Sequence, residues 1–126
     1  DPADRVFQLA RDYLCFAAEN PNLYRLMFSA EVVAYRADPE FERASESSFG
    51  RLVQWWYGPG SYDPEKLVTN YPHAHTFWAL LHRSALQMID GLVEVDLGKK
   101  SSIHRIADSV TAVLLDGVRK GLPEKA

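Results

Sequence analysis

The sequence predicts an all-α fold, a bundle of about five to six helices in a single domain that spans residues 1–126. Apolar residues recur at helical spacing in several long segments. Those segments are separated by Asn-Pro, Asp-Pro and Gly-Pro-Gly sequences, which interrupt helices. No stretch alternates apolar and polar residues as a half-buried strand does. A chain of 126 residues is long enough to build one hydrophobic core.

Two helices are predicted to meet at a corner formed by Asn20 and Pro21. The first covers residues 2–19, and its broad apolar side consists of Val6, Phe7, Leu9, Ala10, Tyr13, Leu14, Phe16 and Ala17. Cys15 falls on the opposite, polar side, so we expect it to be partly exposed. Helical backbone is disfavoured before a proline, and proline suits the first turn of a helix. Asn20 is therefore expected to cap a short second helix over about residues 21–29.

Three more helices follow the corner. One begins with a cap at Asp38 and a first-turn proline and ends near Gly58, and residues 63–65 are expected to start a short helical turn. The next, about residues 72–91, is apolar over most of its circumference, which predicts burial on more than one side. The last covers about residues 101–121 and ends at a glycine.

The composition excludes several functions for this segment. Its 14 Lys and Arg residues and 17 Asp and Glu residues leave a net charge of −3, and the basic residues are scattered. Phosphate backbones require a basic stripe, so we expect no direct contact with nucleic acid. The longest apolar run, residues 77–81, is too short to span a membrane. A single cysteine, Cys15, excludes an internal disulfide and fits a reducing cytoplasm.

Large aromatic residues interleaved with small polar ones suit a pocket for a small apolar molecule. The candidate lining residues are Tyr24, Phe28, Phe49, Trp56 and Trp78, with Ser45 and Ser48 among them. Each aromatic can also be interpreted as core filling, and both interpretations stay open at this point. His82 lies one turn after Trp78 and is interpreted as a hydrogen-bonded core histidine, a pocket donor or a metal ligand.

The spacing of polar residues indicates neither a metal site nor a catalytic site. His75 lies two turns before His82, about 10 Å along the helix axis, which is too far for one ion. Ser84 is close to His82 in sequence, but no acid at helical spacing could orient that imidazole. We therefore predict that the chain is not an enzyme and uses no metal or cofactor.

Two motifs resemble TetR-family transcriptional regulators. Residues 16–28 read Phe-Ala-Ala-Glu-Asn-Pro-Asn-Leu-Tyr-Arg-Leu-Met-Phe, which is similar to the phrase that opens the C-terminal domain of many members. One subgroup carries a tryptophan, a histidine four residues later and then a glycine. Trp78 and His82 match that pattern, whereas Arg83 stands where the glycine would be. The likeness spans about residues 5–121.

The resemblance implies a ligand-binding and dimerisation domain that follows a helix-turn-helix head, which lies outside residues 1–126. Two subunits are expected to form a homodimer in which the helices at residues 72–91 and 101–121 pack as a four-helix bundle. The residues expected at that interface are Phe77, Leu81, Met88, Ile106, Val110 and Leu114. A small hydrophobic effector is expected to release the repressor from DNA, which only the head contacts.

Two other interpretations remain open. A freestanding helical protein could enclose a small hydrophobic molecule without regulating transcription. A helical interaction module could use its last two helices to bind a different protein, and it would be a monomer in isolation. The sequence identifies neither the effector nor the operator, and it does not separate a repressor from an activator.

Overall fold

The computed structural model describes residues 2–29 and 39–121, with side chains described for residues 3–29, 39 and 49–121. These residues form five α-helices and no strand, which confirms the predicted all-α fold. The helices are α1 (Pro2–Glu19), α2 (Pro21–Met27), α3 (Pro39–Tyr57), α4 (Pro72–Ile89) and α5 (Lys100–Lys120), with a 3-10 helix at Val68–Asn70. None of the described helices is long and apolar enough to cross a membrane. The predicted cap at Asp38 and the side chains of Ser45 and Ser48 lie outside the described residues.

The corner between α1 and α2 forms where it is predicted, but the side chain of Asn20 plays a different part. It makes no cap on α2, and its Nδ2 donates instead to the carbonyl oxygen of Phe16 at 3.1 Å. The backbone N–H of Asn20 donates to the same oxygen at 2.9 Å, while its carbonyl accepts from the N–H of Tyr24 at 2.9 Å. One helix therefore passes directly into the next. α2 ends at Met27, before the predicted end near residue 29.

α4 ends at Ile89, slightly before the predicted end, and the following glycine explains why. Gly91 has a φ of 72°, which residues with a side chain rarely adopt. The N–H of Leu92 bonds to the carbonyl of Gln87 at 2.9 Å, and that of Gly91 bonds to the carbonyl of Met88 at 3.2 Å. This is the Schellman arrangement, which satisfies the last carbonyls of a helix and stops it.

The connection between α3 and α4 contains a turn close to the predicted position. The N–H of Lys66 bonds to the carbonyl of Asp63 at 3.1 Å. The Asp63 carboxylate also accepts a hydrogen bond from the N–H of Glu65 at 3.0 Å. The 3-10 helix at Val68–Asn70 then leads into Pro72, so this helical turn lies slightly later than the prediction placed it.

Three helices form the main core. α1 packs against both α4 and α5, and α4 packs against α5. The buried residues are Val6, Ala10, Leu14 and Ala17 on α1, Phe77, Leu81, Ala85 and Met88 on α4, and Ile103 and Ala107 on α5. Burying one large apolar side chain contributes about 1.5–3 kcal/mol. Thr111 is buried beside them, and its hydroxyl donates to the carbonyl of Ala107 at 2.8 Å, so its polar group is satisfied.

Only part of the apolar surface of α4 is buried in this core. Leu80 is 40% exposed, and Thr76 and Ala79 on the same side are also exposed. On α5, Val113 is 73% exposed. α4 therefore packs against more than one helix of its own chain, and the side that faces solvent carries Leu80 beside Thr76.

Two arginines hold the first two helices in place. Arg11 on α1 donates to both carboxylate oxygens of Asp108 on α5, at 2.8 and 2.7 Å. These hydrogen bonds hold the pKa of the Asp108 carboxyl below its usual value. Arg25 on α2 donates to Asp90 at 3.0 Å and to the carbonyl of Ile89 at 2.6 Å. A cation is favourable there because the last carbonyls of a helix carry partial negative charge.

Candidate functional site

A chain of hydrogen bonds joins three helices at the α1–α2 corner. Tyr13 comes from α1, Tyr24 from α2 and His82 from α4. The Tyr24 Oη atom lies 2.7 Å from the Tyr13 Oη atom and 2.7 Å from the His82 Nδ1 atom. Tyr24 is only 1% exposed, so water scarcely competes for these bonds. The corner therefore carries a polar chain of atoms inside an otherwise apolar junction.

The donor directions along this hydrogen-bond chain depend on the tautomer of His82. Either hydroxyl can donate in the bond between Tyr13 and Tyr24, and the Nδ1 atom of His82 can accept from Tyr24 or donate to it. No described residue hydrogen-bonds to the Nε2 atom of His82. The second ring nitrogen is therefore the open polar atom at the end of the hydrogen-bond chain.

The three side chains of this hydrogen-bond chain, Tyr13, Tyr24 and His82, are uncharged at neutral pH. Burial lowers the pKa of His82, and the neighbouring positive charge of Arg83 lowers it further, so the imidazole is neutral. Burial raises the pKa of both Tyr13 and Tyr24, so their hydroxyls remain protonated. The arrangement can offer a hydrogen bond to a partner but no ionic attraction.

Two large rings enclose the imidazole of His82. The Trp78 ring stacks on it, with the centroids 5.4 Å apart and the planes at 13°. The Phe28 ring centroid lies 4.2 Å from that of His82 and 5.0 Å from that of Tyr24. Flat apolar surfaces therefore surround a single polar group, an arrangement that suits a small apolar ligand with one polar atom.

Four of the six predicted ligand-binding residues lie together here: Tyr24, Phe28, Trp78 and His82. The other two, Phe49 and Trp56, belong to a second aromatic group between α3 and the start of α4. The ring of Phe49 lies 6.1 Å from that of Tyr62 and 6.3 Å from that of Tyr71. The ring of Trp56 lies 5.6 Å from that of Phe77. The predicted aromatic set is thus divided between two places.

Tyr13 is the site residue that sequence reasoning missed. It was assigned only to the apolar side of the first helix. Its hydroxyl was the available signal, because a buried tyrosine needs a hydrogen-bond partner. The sequence could not identify that partner, because the hydrogen-bond chain joins residues that are far apart in sequence. Tyr24 and His82, for example, are 58 positions apart.

The predicted interface residues are of two kinds. Phe77 is fully buried, and Leu81 and Met88 are each 2% exposed. These three belong to the core of the chain itself and have no surface left for a partner, which corrects their placement at an interface. The remaining three, on α5, are partly exposed: Ile106, Val110 and Leu114.

Among the described residues, no group of three or more His, Cys, Asp or Glu side chains could hold a metal ion. Cys15 is partly exposed, as predicted, and burial raises the pKa of its thiol. Arg83, which replaces the subgroup glycine, is exposed on a regular part of α4.

The fold and this site define an all-α domain with an uncharged aromatic site between its helices. A protein-family model described as the tetracyclin repressor-like C-terminal domain matches residues 6–110. The chain belongs to this family, which confirms the resemblance to TetR regulators, whereas membership of the Trp-His-Gly subgroup stays a prediction. Searches of the curated proteins and of the solved structures found no match. The family match covers every residue of the site.

Proposed function

We propose that this chain is the ligand-sensing and dimerisation domain of a TetR-like repressor in the cytoplasm, and that its effector binds at the α1–α2 corner. The observation that carries the proposal is the hydrogen-bond chain that ends at His82, enclosed by Phe28 and Trp78. A small hydrophobic molecule fits such a site, because the surroundings are uncharged and aromatic. The proposal includes no catalysis.

The position of the site suggests how binding would be transmitted. Tyr13 belongs to α1, and Arg11, two residues earlier, ties the same helix to α5. In a TetR-like regulator, the DNA-binding head would precede α1. A ligand that moves α1 relative to α5 would change the separation of the two heads, which must match successive major grooves about 34–36 Å apart. A complete switch would require differential affinity of about 5.5 kcal/mol between the two states.

The outer sides of α4 and α5 support a homodimer. Leu80 on α4 and Val113 on α5 are exposed, and the exposed Ala79, Ala112 and Gly117 on the same two helices are small enough to let another helix approach. Two copies of such a surface can pack as a four-helix bundle with knobs in holes. The second side of α4 would then be buried, which accounts for its wide apolar circumference.

The oligomeric state tests this proposal. We expect the 126-residue chain to sediment as a dimer at low micromolar concentration. Val113→Glu should give a monomer with an unchanged circular dichroism spectrum, because a buried charge without a partner is strongly unfavourable at an interface. Leu67→Glu is the matched control, since Leu67 is 72% exposed and lies in the connection before α4, outside the proposed surface. A monomeric wild type, or a Val113→Glu variant that stays dimeric, would contradict the proposed surface.

A further inference from the structure

The second aromatic group contains a buried donor without an acceptor. The Nε1 atom of Trp56 is the one buried side-chain nitrogen or oxygen among the described residues that has no hydrogen-bond partner. An indole N–H can only donate, so the group loses its bond to water on folding and gains nothing in return. Buried polar groups in folded proteins are nearly always paired, so an unpaired one requires an explanation.

The described neighbours of Trp56 include two rings, and neither accepts a hydrogen bond from its Nε1 atom. The centroid of its ring lies 5.6 Å from that of Phe77, with the planes at 74°. The His73 ring lies 6.1 Å away and is tilted by 45°. Leu52 and Val53 belong to the same apolar region.

We propose that Trp56 Nε1 is a hydrogen-bonding site for the carbonyl oxygen of a planar, uncharged small molecule. This position lies in the second aromatic group, apart from the α1–α2 corner, so it is a second ligand site and does not rest on the effector site proposed there. A carbonyl oxygen fits because it accepts one N–H bond and brings no charge. A carboxylate does not fit, since an unpaired charge in aromatic surroundings is strongly disfavoured.

Two probes that differ by one oxygen test the subsite. 1-Indanone and indane share a flat bicyclic frame, and only the ketone can accept a hydrogen bond. Binding to the 126-residue chain is followed by the indole N–H signals of the tryptophans in 15N-correlated spectra, with Trp56 assigned from Trp56→Phe. We expect 1-indanone to bind about tenfold more tightly than indane, the equivalent of one neutral hydrogen bond. The Trp56 signal should move downfield with the ketone only.

The variants show whether Trp56 causes the preference. In Trp56→Phe the two probes should bind with nearly equal affinity. Trp55→Phe is the matched control on the same helix, because Trp55 is 43% exposed, and it should keep the full preference. If Trp56→Phe fails to fold, replacing Trp56 with its benzothiophene isostere removes the N–H alone.

Each other outcome overturns the proposal in a distinguishable way. Equal binding of both probes to the wild type would leave an aromatic site in place but remove the role of the N–H. A preference that survives in Trp56→Phe would assign the donor to another residue. A Trp56 N–H that exchanges magnetisation with a bound water in the free protein would identify that water as the missing partner. Binding of neither probe, in a chain shown to be dimeric, would reject the ligand class while leaving the dimerisation proposal standing.

Discussion

Replacing Tyr24 with phenylalanine tests the hydrogen-bond chain most directly. The change removes one oxygen atom and keeps the ring, so the contact with Phe28 at 5.0 Å is preserved. Two hydrogen bonds of 2.7 Å are lost, one to Tyr13 and one to the Nδ1 atom of His82. Any loss of stability therefore reports on these bonds rather than on packing.

The expected loss follows from the burial of the two partners. A neutral hydrogen bond contributes about 0.5–1.5 kcal/mol, so two bonds correspond to about 1–3 kcal/mol. Tyr13 and His82 are both partly exposed, so water can replace part of what they lose. We therefore expect Tyr24→Phe to lower the free energy of unfolding by about 2 kcal/mol.

Urea unfolding followed by circular dichroism measures this change, with a lower midpoint and an unchanged m-value. Tyr57→Phe is the matched control, since Tyr57 is 40% exposed and its hydroxyl accepts one bond, from the N–H of His73 at 3.0 Å. In that variant the free energy of unfolding should fall by less than about 1 kcal/mol. A double-mutant cycle with His82→Phe should show a coupling of at least about 0.5 kcal/mol. An equal decrease in the free energy of unfolding for Tyr24→Phe and Tyr57→Phe, with no coupling to His82, would refute the hydrogen-bond chain.

Two further predictions use the same unfolding assay. Burial lowers the pKa of His82 in the folded protein, so the unfolded chain binds the proton more readily and stability should fall as pH drops below about 6.5. His82→Gln should weaken that dependence, and identical pH profiles for the two proteins would contradict the assignment. Replacing Leu81, which is 2% exposed, with alanine should lower the free energy of unfolding by about 2–5 kcal/mol. The control variant Leu67→Ala, at a position that is 72% exposed, should lower the free energy of unfolding by less than about 0.5 kcal/mol. Similar decreases for both leucine variants would place Leu81 outside the core.

Local signals explain why the helices could be predicted. Helical periodicity, prolines and glycines act within a few residues, so the bounds of α1 and the stop after α4 follow from neighbouring positions. Asn20 shows where local reasoning becomes ambiguous. Its side chain can reach the end of one helix or the start of the next, and the backbone conformation at the corner directs it to Phe16. The residue was recognised correctly, but its partner was not.

The candidate site could be predicted only in part. Trp78 and His82 are one helical turn apart, so their proximity follows from spacing alone, and their rings do stack. Tyr13 could not be predicted as a site residue, because its position in the hydrogen-bond chain depends on how α1 packs against α4. Phe49 and Trp56 were grouped with the others for their composition, yet α3 carries them to a different part of the domain.

The sequence by itself determined the all-α fold, the membership of the TetR-like C-terminal family and the uncharged, aromatic character of the site. Tertiary structure decided which aromatic rings meet and which side of α4 forms the core, with Phe77 inside and Leu80 outside. The physical reason is the range of the interactions. Helix formation depends on neighbours three and four residues apart, whereas packing selects one of several apolar faces through contacts between distant segments.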